Sequence, residues 1–143
     1  MPIGACLMSK NASDILKPGN HGSTFGGNPL ACATAMTVLE VIQRDKICEQ
    51  VARNSVILKE KLLEALGEHP NVRAIRGKGL MLGIELNRPA MDLRLTALKN
   101  GLVINVTSEN VIRLLPALII NEKEIDELVT RLVKSIHEFV ATS

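Results

Sequence analysis

The chain has 143 residues, 46% of them hydrophobic, which is long enough for one domain with its own core and too apolar for a disordered chain. Its 17 basic and 15 acidic residues leave a net charge of +2 with neither sign gathered into a long block, which argues against nucleic acid or a membrane surface as partner. Phe25 and Phe139 are its aromatic residues, so the core must be aliphatic and base stacking has little to work with.

Residues 1–28 read as a short strand-like piece followed by a polar stretch containing Gly and Pro, an arm expected to be weakly anchored. From Pro29 to about Arg44 apolar residues leave almost no polar face, so the predicted helix should be covered on most sides, which a chain this short can hardly do alone. A second helix follows, with Ile47, Val51, Leu58, Leu62 and Leu66 at helical spacing and a stop near Gly67. After His69-Pro70 the period falls to two, predicting strands at Val72–Arg76 and Leu80–Leu86 joined at Gly77-Lys78-Gly79. Pro89 can open a short helix that Asn100-Gly101 stops, and Leu102–Val106 and Val111–Leu115 are two more strands. In the closing helix Asn121 and Glu124 form a capping-box start, and Ile125, Leu128, Val129, Leu132, Val133, Ile136 and Val140 keep one stripe. Paired strands with helices on one face predict an α+β sandwich.

Cys6, Cys32 and Cys48 share no CxxC or metal-ligand spacing, so a reduced, cytoplasmic protein with small buried thiols is expected. No apolar run is long enough to span a membrane, and residues 1 to 20 lack the layout of a signal peptide. His21, His69 and His137 have no metal-ligand spacing, and Glu85 reads as structural.

Two segments carry candidate chemistry. In His21-Gly22-Ser23-Thr24-Phe25-Gly26-Gly27-Asn28-Pro29, hydroxyls and glycines stand directly before a helix start, where free amides and the positive dipole end favour an anion; a turn that merely caps a helix fits the same residues. Arg113 stands among Val111, Ile112, Leu114 and Leu115. Its guanidinium either grips a carboxylate through two parallel bonds or belongs to an edge strand and snorkels to water.

The segment 21–31 resembles the HGSTYGGNPLA segment of class III pyridoxal-phosphate-dependent aminotransferases. Pro2-Ile3-Gly4-Ala5, Arg76-Gly77-Lys78-Gly79-Leu80-Met81-Leu82-Gly83-Ile84-Glu85-Leu86 and Val111-Ile112-Arg113-Leu114-Leu115-Pro116 match the same family in the same order. The last stretch, continuing through Asn121-Glu122-Lys123-Glu124, is most similar to acetylornithine aminotransferases. Phe25 stands where the family usually has Tyr, and Ala117 where a second Pro is common.

The resemblance implies the small C-terminal domain of a fold-type I transferase over residues 46–143, preceded by a remnant of the large cofactor-binding domain over 1–45. It implies transfer of an amino group from N-acetylornithine to 2-oxoglutarate in arginine biosynthesis, with ornithine, 4-aminobutyrate and succinylornithine aminotransferases as alternatives. It assigns Arg113 to the substrate α-carboxylate, and Thr24 with Ser23 to the phosphate of the pyridoxal phosphate (PLP) bound by the other subunit of a homodimer. The family's Schiff-base lysine lies just upstream of the Pro-Ile-Gly-Ala segment. Lys10, Lys17 and Lys78 lie in polar or turn surroundings unsuited to replace it. No catalytic residue is therefore expected from this chain, and alone it is expected to be a non-catalytic fragment or assembly domain without bound PLP.

Overall fold

The computed structural model describes residues 2–17 and 19–141, and the chain divides into two compact units, 1–46 and 47–143. In the first unit, residues 2–17 and 19–28 form turns and irregular backbone instead of the expected opening strand. Helix α1, Pro29–Arg44, begins where the sequence places it: the Asn28 side chain accepts from the Ala31 N–H (2.9 Å), and Pro29 fills the first helical position. Within this chain α1 is largely uncovered, as expected of a helix that so short a chain can hardly bury alone. Ala31 is its buried residue, whereas Leu30, Met36, Val38 and Leu39 are each more than half exposed.

The second unit holds α2 (Ile47–Leu66), β1 (Val72–Lys78), β2 (Met81–Leu86), α3 (Leu93–Lys99), β3 (Asn105–Thr107), β4 (Val111–Leu114) and α4 (Glu122–Ala141). The strands form one antiparallel sheet in the order β1-β2-β4-β3. With the helices this is the α+β architecture expected from the change of period.

Alternation decides which way each strand residue faces. Leu82, Ile84 and Leu86 of β2 and Ile112 and Leu114 of β4 are buried, and they join Leu58, Leu62 and Leu66 of α2, Leu93 of α3 and Ile125, Leu132 and Ile136 of α4 in one aliphatic core. Burying each such side chain is worth about 1.5–3 kcal/mol. That pull fixes the register, so Met81, Gly83, Glu85, Val111 and Arg113 fall on the opposite face. An inward Arg113 would require burying an unpaired guanidinium, which costs more than any one of these side chains returns.

The element ends differ from expectation for local reasons. The first two strands meet at a tight turn at Gly79-Leu80, so β1 runs on to Lys78 and β2 starts at Met81. The third helix starts at Leu93 and not at Pro89, because the Ala90 N–H is held by the Glu109 carbonyl (2.8 Å) across the sheet end. Strand β3 begins at Asn105, since the Leu102 N–H donates to Ala97 at the end of α3 (2.8 Å) and delays the extended path. The capping box at α4 is present in full: the Asn121 N–H donates to the Glu124 carboxylate (2.8 Å), and the Glu124 N–H donates to the Asn121 side chain (3.1 Å). Cys6, Cys32 and Cys48 are exposed, contrary to the buried thiols expected. No helix among the described residues is long and apolar enough to cross a membrane.

Candidate active-site segments

Each unit carries one of the two segments. In the first, Ser23, Phe25, Gly26, Gly27 and His21 line a cavity of about 540 Å³ together with Pro2-Ile3-Gly4-Ala5, so two matched stretches far apart in sequence share one wall. Thr24 is exposed but does not line this cavity. A Ser23–Gly26 turn (Gly26 N–H to Ser23 carbonyl, 3.1 Å) leads to Gly27 at φ +67, a left-handed conformation suited to glycine.

The helix end itself offers less than the sequence reading supposes. Pro29 has no N–H, Ala31 donates to the Asn28 side chain and Cys32 to the Asn28 carbonyl (3.0 Å), which leaves the Leu30 N–H outside these bonds. The Asn28 amide is occupied as well, donating to the Phe25 carbonyl (2.9 Å). An anion arriving here would rely on the Ser23 and Thr24 hydroxyls and on loop amides. That set has no cation, so it suits a share in holding a phosphate whose charge is met elsewhere.

In the second unit, Arg113 sits at the middle of β4, flanked by Gly83 of β2 and Asn105 of β3. β4 is an interior strand, so the edge-strand alternative for Arg113 is excluded. Arg113 is exposed, and among the described residues no hydrogen bond or ion pair engages its side chain. It opens onto a cleft of about 280 Å³ whose other walls include Leu102, Val103, Leu115 and Pro116.

The nearby carboxylate does not neutralise it. Glu85 pairs in register with Val111 and lies on the Arg113 face, but Arg76 and Arg73 (3.4 Å) both engage it. A bulge between Val72 and Ala74 brings Arg73 onto that face beside Arg76. Bonding to Arg76, reinforced by Arg73, holds the Glu85 carboxyl below the usual carboxylate range. The sequence reading that Glu85 is structural therefore gains a specific content: it is occupied, and Arg113 is left open.

Lysines give no second centre. Every lysine except Lys61 is exposed, and Lys61 is paired with Asp126 (2.7 Å). His69 and His137 stack with centroids 5.2 Å apart, and His21 belongs to the first unit. No group of His, Cys, Asp and Glu among the described residues could hold a metal ion.

A two-layer α+β unit with an open arginine on its bare sheet face, and a Ser-Thr-Gly-Gly loop ahead of a capped helix, match one family in the expected order. Residues 1–136 match the family Aminotransferase class-III, and the chain belongs to that family. It is 44% identical over 141 residues to acetylornithine aminotransferase 1 of Bordetella pertussis, covering 99% of this chain and 36% of the relative. Among solved structures it superposes on an acetylornithine aminotransferase from Elizabethkingia anophelis with a TM-score of 0.80 and 38% identity, over 92% of this chain and 36% of that one. It is also similar to an ornithine aminotransferase from Toxoplasma gondii with PLP at partial occupancy in its active site, at a TM-score of 0.79 and 34% identity, over 92% and 32% of the two chains. The chain thus spans about a third of the length of the relatives it matches.

Proposed function

We propose that this chain is the substrate-carboxylate and phosphate-contact portion of an acetylornithine aminotransferase that uses PLP, with residues 46–143 as its small C-terminal domain and residues 1–45 as part of its large domain. The observation that carries the reading is Arg113: a guanidinium fixed by sheet register, open to an apolar-walled cleft, while the adjacent carboxylate is taken up by two other arginines.

Bound PLP supplies the electron sink for amino-group transfer. The residues here do the rest of what this portion can do. The planar fork of Arg113 donates to both oxygens of an α-carboxylate, and this fixes the orientation of the substrate Cα. The Ser23 and Thr24 hydroxyls donate to the cofactor phosphate across the interface of a homodimer. With every lysine either exposed or paired, the covalent and proton-transfer lysine comes from elsewhere in the complete enzyme. The amino acceptor is 2-oxoglutarate, whose carboxylate uses the same fork in the return half of the reaction.

A hybrid enzyme tests this, with the matched 141 residues of the Bordetella pertussis relative replaced by this chain. The hybrid is expected to transaminate N-acetylornithine with 2-oxoglutarate and to prefer it over 4-aminobutyrate. A hybrid that folds and holds PLP yet prefers ornithine or 4-aminobutyrate would move the assignment to one of those relatives.

A further inference from the structure

Asn105 stands directly opposite Arg113 in the β3–β4 pairing, and both lie exposed on the bare face of the sheet. Side chains of such cross-strand partners have Cβ atoms roughly 4.5–5.5 Å apart, close enough for two groups to hold one small ligand. Both residues line the 280 Å³ cleft, and the other lining residues, Leu102, Val103, Ile104, Leu114, Leu115, Pro116 and Leu128, are apolar. The polar side chains of this cleft are therefore one guanidinium and one carboxamide, side by side.

Most other asparagines of this unit, Asn71 excepted, spend their side chains on the fold. Asn54 donates to the Ile120 carbonyl (2.6 Å), Asn87 to Pro70 (3.1 Å), Asn110 to Leu86 (2.8 Å), and Asn100 to Ser135 (3.1 Å) and Glu138 (2.8 Å). Among the described residues no such bond engages the Asn105 side chain, and asparagine is a poor strand former that gains nothing from this position by propensity. On the other flank of Arg113 stands Gly83, with no side chain to compete for the fork.

We propose that Asn105 is a second ligand of the substrate carboxylate: its Nδ2–H donates to one carboxylate oxygen while the Arg113 fork holds the pair. This rests on the reading of Arg113 as the carboxylate clamp. A neutral donor adds direction to the clamp without adding charge, so it sharpens the choice of a carboxylate over a carboxamide or a bare amine at that end of the substrate.

The test compares the hybrid enzyme with its Asn105→Ala, Asn105→Asp and Arg113→Lys variants, on N-acetylornithine and on its α-carboxamide analogue. Asn105→Ala should lower kcat/KM for N-acetylornithine by roughly ten- to 150-fold, the loss of one neutral donor to a charged carboxylate, and leave the carboxamide within about twofold. Asn105→Asp should cost more, because its carboxylate repels the substrate and pairs with Arg113. Combining Asn105→Ala with Arg113→Lys should add little to Arg113→Lys alone, since both act on one carboxylate. If Asn105→Ala leaves N-acetylornithine within twofold while Arg113→Lys is severely impaired, the Asn105 assignment is overturned and the clamp stands. An equal loss on both substrates also overturns it, by marking a structural role. If Arg113→Lys too is within twofold, the clamp reading fails and this one fails with it.

Discussion

Gly77 is the position at which a single methyl group should do the most damage to the sheet that carries Arg113. It pairs with Leu82 near the end of the β1–β2 hairpin and holds φ at +149. A Cβ there would lie 2.1 Å from the Met81 carbonyl oxygen, 2.8 Å from the Leu82 Cα and 2.9 Å from the Leu82 Cδ2. The first two are backbone atoms of the partner strand, so no rotamer change relieves the clash. A non-glycine residue in such a region costs about 1–3 kcal/mol before any strand is displaced, and moving β2 off β1 adds lost pairing. For Gly77→Ala we expect roughly 3 kcal/mol or more, a fall of about 12–24 °C in Tm for a unit of this size. Gly101→Ala is the control. Its φ is also positive (+73), but its Cβ would meet the Nη1 end of Arg131 at 2.2 Å, a side-chain tip and not backbone; moving it gives up its bonds to the Gly101 carbonyl (2.6 Å) and to Glu127, so about 2 kcal/mol is expected, still less than for Gly77→Ala. Thermal unfolding of the 143-residue chain by circular dichroism reads both. A Gly77→Ala protein melting within about 3 °C of the parent, or above Gly101→Ala, would refute the hairpin geometry.

Three further outcomes are expected. Asn121→Ala removes the side-chain half of the α4 capping box and should cost about 1 kcal/mol, read as a drop in urea midpoint at constant slope. His69 is held below the ordinary histidine range, first by burial and then by His137, so on acidification the unfolded chain protonates before the folded one. Its contribution is intact above the ordinary value of about 6.5 and declines as pH falls below it; urea midpoints at pH 7.5 and 5.5 should show this decline, and His69→Asn should flatten it. In the hybrid enzyme, Thr24→Ala should weaken PLP retention by roughly 1.5–3 kcal/mol, measured by cofactor loss on dialysis, and excess PLP should restore activity.

What could be read from the sequence follows the range of the interactions. The Asn28-Pro29 start of α1 and the Asn121/Glu124 start of α4 are decided within four residues, and both are present as read. The inward stripe of Leu82, Ile84 and Leu86 is a period-two signal, again local. Strand order is not local. That β4 lies between β2 and β3, which settles whether Arg113 is at an edge, depends on pairings across some thirty residues. The same holds for the Arg73–Glu85–Arg76 group, which needs a bulge that no spacing announces, and for Asn105, a lone asparagine whose meaning comes from the residue opposite. The α1 start offers fewer free amides than the glycine-rich run suggests, because Pro29 has no N–H and Asn28 takes up those of Ala31 and Cys32, leaving that of Leu30. Cys6 and Cys32 are exposed in the unit whose apolar helix is itself largely uncovered, and Cys48 is exposed in the first turn of α2.

The clamp at Arg113 is tested most directly by Arg113→Lys in the hybrid enzyme, with kcat/KM for N-acetylornithine measured beside the PLP content of the same preparation. Lysine keeps the charge and loses the planar two-point grip, so a loss of roughly 2–4 kcal/mol is expected, about 30- to 900-fold in kcat/KM, with PLP content unchanged. A variant that folds, holds PLP and stays within about twofold of its parent would contradict the assignment and leave Arg113 a solvent-facing residue of the sheet.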